Sequence, residues 1–241
     1  MKKRKYIGLW ILLILVIALG GLAYWQRENI RIAMQGIKFT PEELEQQLTD
    51  NQERIQEVVE SNTDITVRDL TEEEKAALKA GAQSREEIIE RLTKPQTPQQ
   101  TQAEQTKKPT SQELAEAAAR EKYQKDLSAL IAEVYVMQAE YNAAIEGMME
   151  QAKQEYSAKS KSERSKSALL KWARGYISRA TSLEKECDAK MDDITEKILV
   201  LLKENDGDLS LADEVVYAYA NEKSLKKSWY LSEMKKRGLL E

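Results

Sequence analysis

The sequence predicts an all-α protein that consists of a single N-terminal transmembrane helix and a helical remainder. Residues 6–25 form an uninterrupted uncharged segment, and apolar residues recur at helical spacing through most of the chain that follows. The chain is rich in Ala, Glu, Lys, Leu and Gln, whereas it has only nine glycines, four prolines and one phenylalanine. This composition favours helix and disfavours sheet.

Residues 6–25 predict a transmembrane anchor. Twenty helical residues rise about 30 Å, which matches the hydrocarbon core of a bilayer, and eleven of these residues are Leu, Ile or Val. Because four basic residues lie just before the segment, the positive-inside rule makes residues 1–5 a cytoplasmic tail and places the later chain outside. The alternative is a signal peptide cleaved after Ala23, where small residues have suitable spacing.

The composition also limits the function. The sequence has no histidine, which excludes His-based catalysis and nearly all zinc sites. Cys187 is the single cysteine, so an intrachain disulfide is impossible, and we expect this side chain to be buried. Without the four basic residues before the span, 33 basic side chains face 41 acidic ones, a balance that argues against nucleic-acid binding. An anchored outside domain without disulfides or glycosylation sequons is typical of a bacterial envelope protein.

Residues 26–93 predict a membrane-proximal acidic helical module. Residues 40–93 carry 15 acidic and 6 basic side chains. Capping boxes, in which a Ser or Thr side chain and a Glu three residues later satisfy each other's backbone N–H groups, mark helix starts. They predict helices at about 41–60, 72–80 and 85–93, and Gly81 is a suitable stop for the second of these. The boxes are Thr40 with Glu43, Thr71 with Glu74, and Ser84 with Glu87.

Residues 94–110 predict a flexible linker. The segment contains three prolines and five glutamines but no large apolar residue. Such a composition cannot bury enough apolar surface to fold by itself. We therefore expect the domain after the linker to move relative to the membrane.

Residues 111–241 predict a long antiparallel helical hairpin with a third packing helix, a coiled-coil-like three-helix bundle. Another capping box, Thr110 with Glu113, begins the first arm at 111–158, and a polar turn leads into the second arm at 161–204. The third helix is expected at 211–237, against the base of the hairpin. The predicted seam residues are Leu130, Val134, Met137, Tyr141, Ile145, Met148, Ala152 and Tyr156 in the first arm, and Leu169, Ala173, Tyr176, Ala180, Leu183, Cys187, Met191, Ile194, Ile198 and Leu201 in the second.

The tip of the predicted hairpin is the candidate partner-binding surface. Residues 158–175 carry six basic side chains and one acidic side chain, and large apolar residues lie among them. An apolar patch with a cationic rim suits a protein groove or an anionic envelope surface. The alternative is that the apolar residues close the seam and the lysines keep the turn soluble. The candidate residues are Met148, Met149, Tyr156, Lys159, Lys161, Arg164, Leu170 and Trp172.

We therefore predict a non-enzymatic, membrane-anchored extracytoplasmic helical adaptor that docks an envelope protein partner. It would be a single-pass protein of a bacterial cytoplasmic membrane, in contact with lipid through residues 6–25. We predict no catalytic residue, metal or cofactor and no nucleic-acid partner. One alternative is a coiled-coil spacer that homo-oligomerises within a division, secretion or wall complex. Another is a glycan-acting enzyme that uses carboxylates such as those within 184–193.

Overall fold

The computed structural model describes residues 34–36, 38–94, 110–160 and 166–236, and within these residues the secondary structure is helical, without strands. This confirms the predicted all-α class for the described part of the chain. The helices are α1 (Pro41–Ser61), α2 (Glu72–Lys79), α3 (Arg85–Leu92), α4 (Ser111–Ala158), α5 (Lys166–Glu204) and α6 (Ser210–Lys236).

Two predicted segments lie outside the described residues. They are the tail and anchor at 1–25, which include the possible cleavage site after Ala23, and residues 95–109 of the linker. None of the helices in the described ranges is long and apolar enough to cross a membrane. The transmembrane anchor and the flexible linker therefore stay predictions from the sequence.

The helices begin where the capping boxes predicted. Both hydrogen bonds of the box are present at the starts of α2, α3 and α4. At the start of α1, the Thr40 N–H donates to Glu43 Oε2 over 2.8 Å and the Glu43 N–H donates to Thr40 Oγ1 over 3.2 Å. The third helix of the predicted bundle, α6, starts one residue early, because Asp208 Oδ1 accepts the Ser210 N–H over 2.9 Å and caps the helix.

Two helices are followed by a residue with positive φ, in the left-handed region of backbone conformation. Gly81 has φ of 62° just after α2, and the Gly81 and Ala82 N–H groups donate to Leu78 O and Ala77 O. This pattern is a Schellman motif, in which glycine avoids the steric cost of positive φ. After α5, Asp206 adopts φ of 52° and the Gly207 N–H donates to Leu202 O over 2.8 Å.

Gly207→Ala is expected to lower the free energy of unfolding by about 1–3 kcal/mol, because the added methyl group has no room. An ideal Cβ at Gly207 would lie 2.6 Å from Tyr123 Oη and 2.9 Å from Leu202 Cδ2, and both neighbours are buried. Urea unfolding of the full chain in a mild detergent measures the loss. In the control Gly147→Ala, the new Cβ meets no atom within 4 Å, so the helix should gain up to about 1 kcal/mol. Equal effects of the two substitutions would contradict the close contact.

The predicted helical hairpin is confirmed by α4 and α5. The arms run antiparallel, because Glu155 contacts Trp172 near the tip and Tyr123 approaches Gly207 near the base. The last seam position is Leu202, which is fully buried, whereas the predicted Leu201 is half-buried. The buried apolar residues that α5 contributes are Cys187, Met191, Ile194, Ile198 and Leu202.

Helix α4 is packed on more sides than the single seam that the sequence predicted. Helices α2 and α3 both contact α4. Lys79 Nζ lies 3.3 Å from Glu146 Oε2, and Arg85 forms ion pairs with Glu133 and Glu140. Of the eight predicted seam residues on α4, Val134 and Met137 are buried and the other six are half-buried, while the buried set includes residues outside that seam. Its apolar members on α4 are Tyr123, Leu127, Ile131, Ala132, Val134, Tyr135, Val136 and Met137.

The described part of the chain forms two compact units, one from residues 34–36, 38–56 and 217–236 and the other from residues 57–94, 110–160 and 166–216. In the first unit, α1 pairs with the second half of α6. Its core contains Leu44, Leu48 and Leu225, against which Phe39 and Trp229 pack. We expected α6 to pack on the hairpin. The core contacts of its second half are instead with α1 and with the residues that precede α1. An apolar stripe shows that a helix packs without showing which neighbour it packs on.

Candidate partner-binding surface at the hairpin tip

The predicted site residues lie at the described end of the hairpin or within the undescribed turn. Met148, Tyr156, Lys159 and Trp172 are half-buried, and Met149 is 42% exposed. Lys161 and Arg164 lie outside the described residues, and only the backbone of Leu170 is described, within α5. The structure therefore places five of the eight candidate side chains.

Trp172 joins the two arms of the hairpin through aromatic contacts. Its ring centroid lies 6.1 Å from that of Tyr156 on α4, with a tilted geometry. On its own helix, it lies 5.2 Å from the Tyr176 ring in an edge-to-face arrangement. Aromatic pairs of this kind stabilise by about 0.5–1.5 kcal/mol beyond the area that they bury. We call Tyr156, Trp172 and Tyr176 the tip aromatic cluster.

A carboxylate fixes the orientation of the indole ring. The Trp172 Nε1–H donates to Glu155 Oε2 over 3.0 Å, across the two arms. This hydrogen bond, together with the nearby Tyr176 hydroxyl, holds the pKa of the Glu155 carboxyl below its ordinary value. The Trp172 side chain is thus held in one orientation from the opposite helix, although it lies beside the predicted seam.

A cation and a shielded hydroxyl complete the cluster on α5. The Arg179 guanidinium lies 5.2 Å from the centre of the Tyr176 ring, and its Nη2 donates to Gln151 Oε1 over 3.2 Å. The Tyr176 oxygen is shielded from solvent without a hydrogen bond of normal geometry. Desolvation, followed by the neighbouring Glu155 carboxylate, raises the pKa of Tyr176. The cluster therefore combines three aromatic rings with an anion and a cation.

The cluster contains the residue types that are common at protein interfaces. Trp, Tyr and Arg are the residues that most often dominate the energy of protein interfaces. In the described ranges, no group of three or more Asp, Glu, Cys or His side chains is placed to hold a metal ion. The sequence interpretation did not identify Glu155 or Arg179 as members of the site.

The remaining chemical candidates have structural roles. Cys187 is buried, as predicted for a small apolar side chain. Within the acidic run at 184–193, Asp193 forms an ion pair with Lys197 one turn later, over 2.6 Å. Both groups are more than half exposed, which is typical of a solvated helix face.

Comparisons with known proteins identify no relative of this chain. No protein-family model, no curated protein and no solved structure matches it.

Proposed function

We propose that this chain is a non-enzymatic, membrane-anchored helical adaptor that docks a protein partner through its hairpin tip. Residues 6–25 provide the anchor by their length and apolar character. The positive-inside rule then puts the helical part outside the cytoplasm. An outside domain without disulfides or glycosylation sequons is typical of a bacterial envelope protein. The proposal assigns the chain a binding role and no reaction.

The tip aromatic cluster is the observation that carries the proposal. Trp172 is ordered by Glu155 and Tyr176 and yet stays half-exposed, within a stretch of net positive charge. An ordered aromatic side chain loses little conformational entropy when a partner covers it. The partner would therefore present an apolar pocket with acidic residues around it.

The length of the hairpin and the anchor together explain how a weak site could work. The 48 residues of α4 span about 70 Å, which places the tip far from the other end of the helix. An anchored protein searches only a thin layer next to the membrane, and this confinement raises the effective concentration of partners in that layer. A modest affinity at the tip would then be sufficient for capture.

A double substitution at the tip, Trp172→Ala with Lys161→Glu, is expected to reduce partner capture at least tenfold. It removes the central ring and reverses one charge of the basic stretch. The measurement is photo-crosslinking in intact cells from a reactive amino acid at position 159, with the crosslinked species quantified. Circular dichroism of the purified variant should show unchanged helicity.

Trp229→Ala is a matched control for the tip substitution. Trp229 also donates its Nε1–H to a glutamate, Glu45, over 3.1 Å, and it also has an edge-to-face neighbour, Tyr230, at 5.1 Å. It lies in the other compact unit, so its loss should leave capture unchanged. Unchanged capture by the double variant, or equal loss in the control, would eliminate the tip as the docking surface.

An oligomerising spacer is the second candidate function. It is favoured by Ile177, a β-branched apolar side chain on α5 that is 64% exposed. Self-association of the hairpins would cover this surface. Sedimentation of the full chain in detergent distinguishes the two functions, because a stable oligomer favours the spacer and a monomer favours the adaptor.

A further inference from the structure

Two depressions lie between α4 and α5 on the hairpin, and we call the surface that joins them the groove. One is lined by Met148 and Leu183 together with Glu186, and the other by Leu130, Leu201 and Glu204. All of these residues belong to the compact unit of residues 57–216. The groove therefore belongs to the hairpin itself.

The two depressions repeat after the same interval on both arms. Leu130 and Met148 are 18 residues apart on α4, as are Leu183 and Leu201 on α5. Eighteen residues make five helical turns, about 27 Å, so the two members of each pair face the same way. Because the arms run antiparallel, Leu130 lies with Leu201, and Met148 lies with Leu183. The depressions are thus two points on one straight groove.

The floor of the groove is apolar and partly accessible. Val200 is 48% exposed, and Leu130, Met148, Leu183 and Leu201 are half-buried. A straight apolar groove between two helices is the shape that an amphipathic helix fills.

The rim of the groove is acidic at the end near the base of the hairpin. The charged residues that line the two depressions are four acids and two bases, and the net charge of −2 lies in the depression of Leu130 and Leu201, because Arg179 balances Glu186 in the other. Asp193 and Lys197 already form an ion pair within α5. The acidic end repels phosphate groups, which argues against a lipid surface or a nucleic acid as the occupant. It also opposes a parallel face-to-face pairing of two copies, because the two acidic ends would meet. The charged lining residues are Arg179, Glu186, Asp193, Glu196, Lys197 and Glu204.

We propose that this groove binds a cationic amphipathic helix of a partner protein. The spacing of the depressions requires a helix of about 18 residues or more, with apolar side chains toward the floor at both ends. Lysine or arginine side chains along its flanks would meet the acidic rim. One depression shares Met148 and Arg179 with the tip, whereas the depression of Leu130, Leu201 and Glu204 and the exposed Val200 lie outside it. The inference therefore goes beyond the adaptor proposal and is tested by its own substitutions.

The test uses the full chain in phosphatidylcholine nanodiscs and a fluorescent 22-residue amphipathic peptide with leucines on one face and lysines on its flanks. Fluorescence anisotropy measures binding, and empty nanodiscs correct for binding to lipid. The wild-type chain should bind the peptide, and binding should weaken with added salt. A peptide with glutamates in place of the lysines should bind at least tenfold more weakly.

Two matched valine substitutions locate the binding site. Val200→Glu places a charge on the accessible floor and should weaken binding at least tenfold. Val216→Glu makes the same change on α6, at a side chain that is 39% exposed and outside the two depressions, and should leave binding unchanged. Trp172→Ala at the tip should also leave it unchanged. Because both valines are partly exposed, both variants should fold, which circular dichroism checks.

Several results would overturn the inference. Binding no stronger than to empty nanodiscs, or equal binding of the lysine and glutamate peptides, would show that the groove does not select a cationic helix. Equal affinities of the two valine variants would place the peptide elsewhere. Sedimentation that shows a dimer of the wild-type chain, dissociated by Val200→Glu, would mean that a second copy occupies the groove instead.

Discussion

Ile198→Ala is expected to lower the free energy of unfolding by about 2–5 kcal/mol, a large part of the 5–15 kcal/mol of a typical domain. Ile198 lies in the seam of the hairpin and has no exposed surface. The substitution loses the transfer free energy of the removed groups, and it leaves a cavity because packed helices relax only partly. Urea unfolding of the full chain in a mild detergent, followed by circular dichroism, measures the change.

Neighbouring positions on α5 provide the controls for this prediction. Val200→Ala removes an apolar side chain that is already 48% exposed, so the cost should be below about 1 kcal/mol. Leu202→Ala should resemble Ile198→Ala, whereas Leu201→Ala should cost clearly less, because Leu202 is the buried member of that pair. Equal costs at positions 201 and 202 would contradict the seam of the structure.

Helix starts and the hairpin could be predicted from the sequence because their causes are local. A capping box satisfies backbone N–H groups within four residues, so Thr71 and Thr110 mark α2 and α4 wherever those helices pack. Gly81 marks the end of α2 for the same reason, because this helix end requires a positive φ at one residue and glycine adopts it without strain. The seam on α5 is also a property of one helix, and its predicted members Cys187, Met191, Ile194 and Ile198 are buried.

Pairing between distant segments could not be predicted in this way. Ser228 and Ser232 would be assigned to the surface by their polarity, yet both are buried on α6. The Ser232 hydroxyl donates to Phe39 O over 2.8 Å, and a Cβ at Gly36 would lie 2.8 Å from Leu231 Cβ. Small side chains therefore let residues 34–39 approach α6 closely. This form of packing leaves no apolar pattern in the sequence.

The sequence singled out Tyr156 and Trp172 of the tip aromatic cluster but not their charged neighbours Glu155 and Arg179. Trp172 drew attention because it lies beside the seam, and the structure shows that it reaches Glu155 on the opposite arm. Glu155 was not identified, because one of many glutamates on a long helix has no distinguishing local signal. The register between the two arms, which brings these residues together, is set by the packing of the whole hairpin.

The stability of the chain is expected to fall in acid because of one buried ion pair, Arg68 with Glu74. Arg68 Nη1 and Nη2 donate to the two Glu74 oxygens, both over 2.7 Å, and the Glu74 side chain is 6% exposed. Hydrogen bonds from Arg68, together with the Thr71 N–H and the Arg91 charge, lower the pKa of Glu74 to about 2 from an ordinary value of 4.5. A carboxyl group whose pKa is lower in the folded state than in the unfolded state stabilises the fold at pH values above its unfolded pKa. That stabilisation is lost as pH falls from about 4.5 towards 2.

Glu74→Gln should remove this acid-sensitive stabilisation, which corresponds to roughly 3 kcal/mol at neutral pH. The difference in unfolding free energy between the wild-type chain and the variant should be largest at pH 7 and should shrink between pH 4.5 and 2. Urea unfolding at several pH values measures it. Glu72→Gln in the same helix turn is the control, because Glu72 is 85% exposed and its pair with Lys75 lies at the surface.

The pH dependence separates charge from packing at this position. Glu74 also accepts the Thr71 N–H and so caps α2, which packs on α4. A glutamine can replace the cap and the volume but cannot provide the charge that faces Arg68. If the loss caused by Glu74→Gln is the same at pH 7 and at pH 3, the contribution comes from geometry. If it shrinks with acid, the ion pair holds the 68–74 segment, and through it α2, against the hairpin.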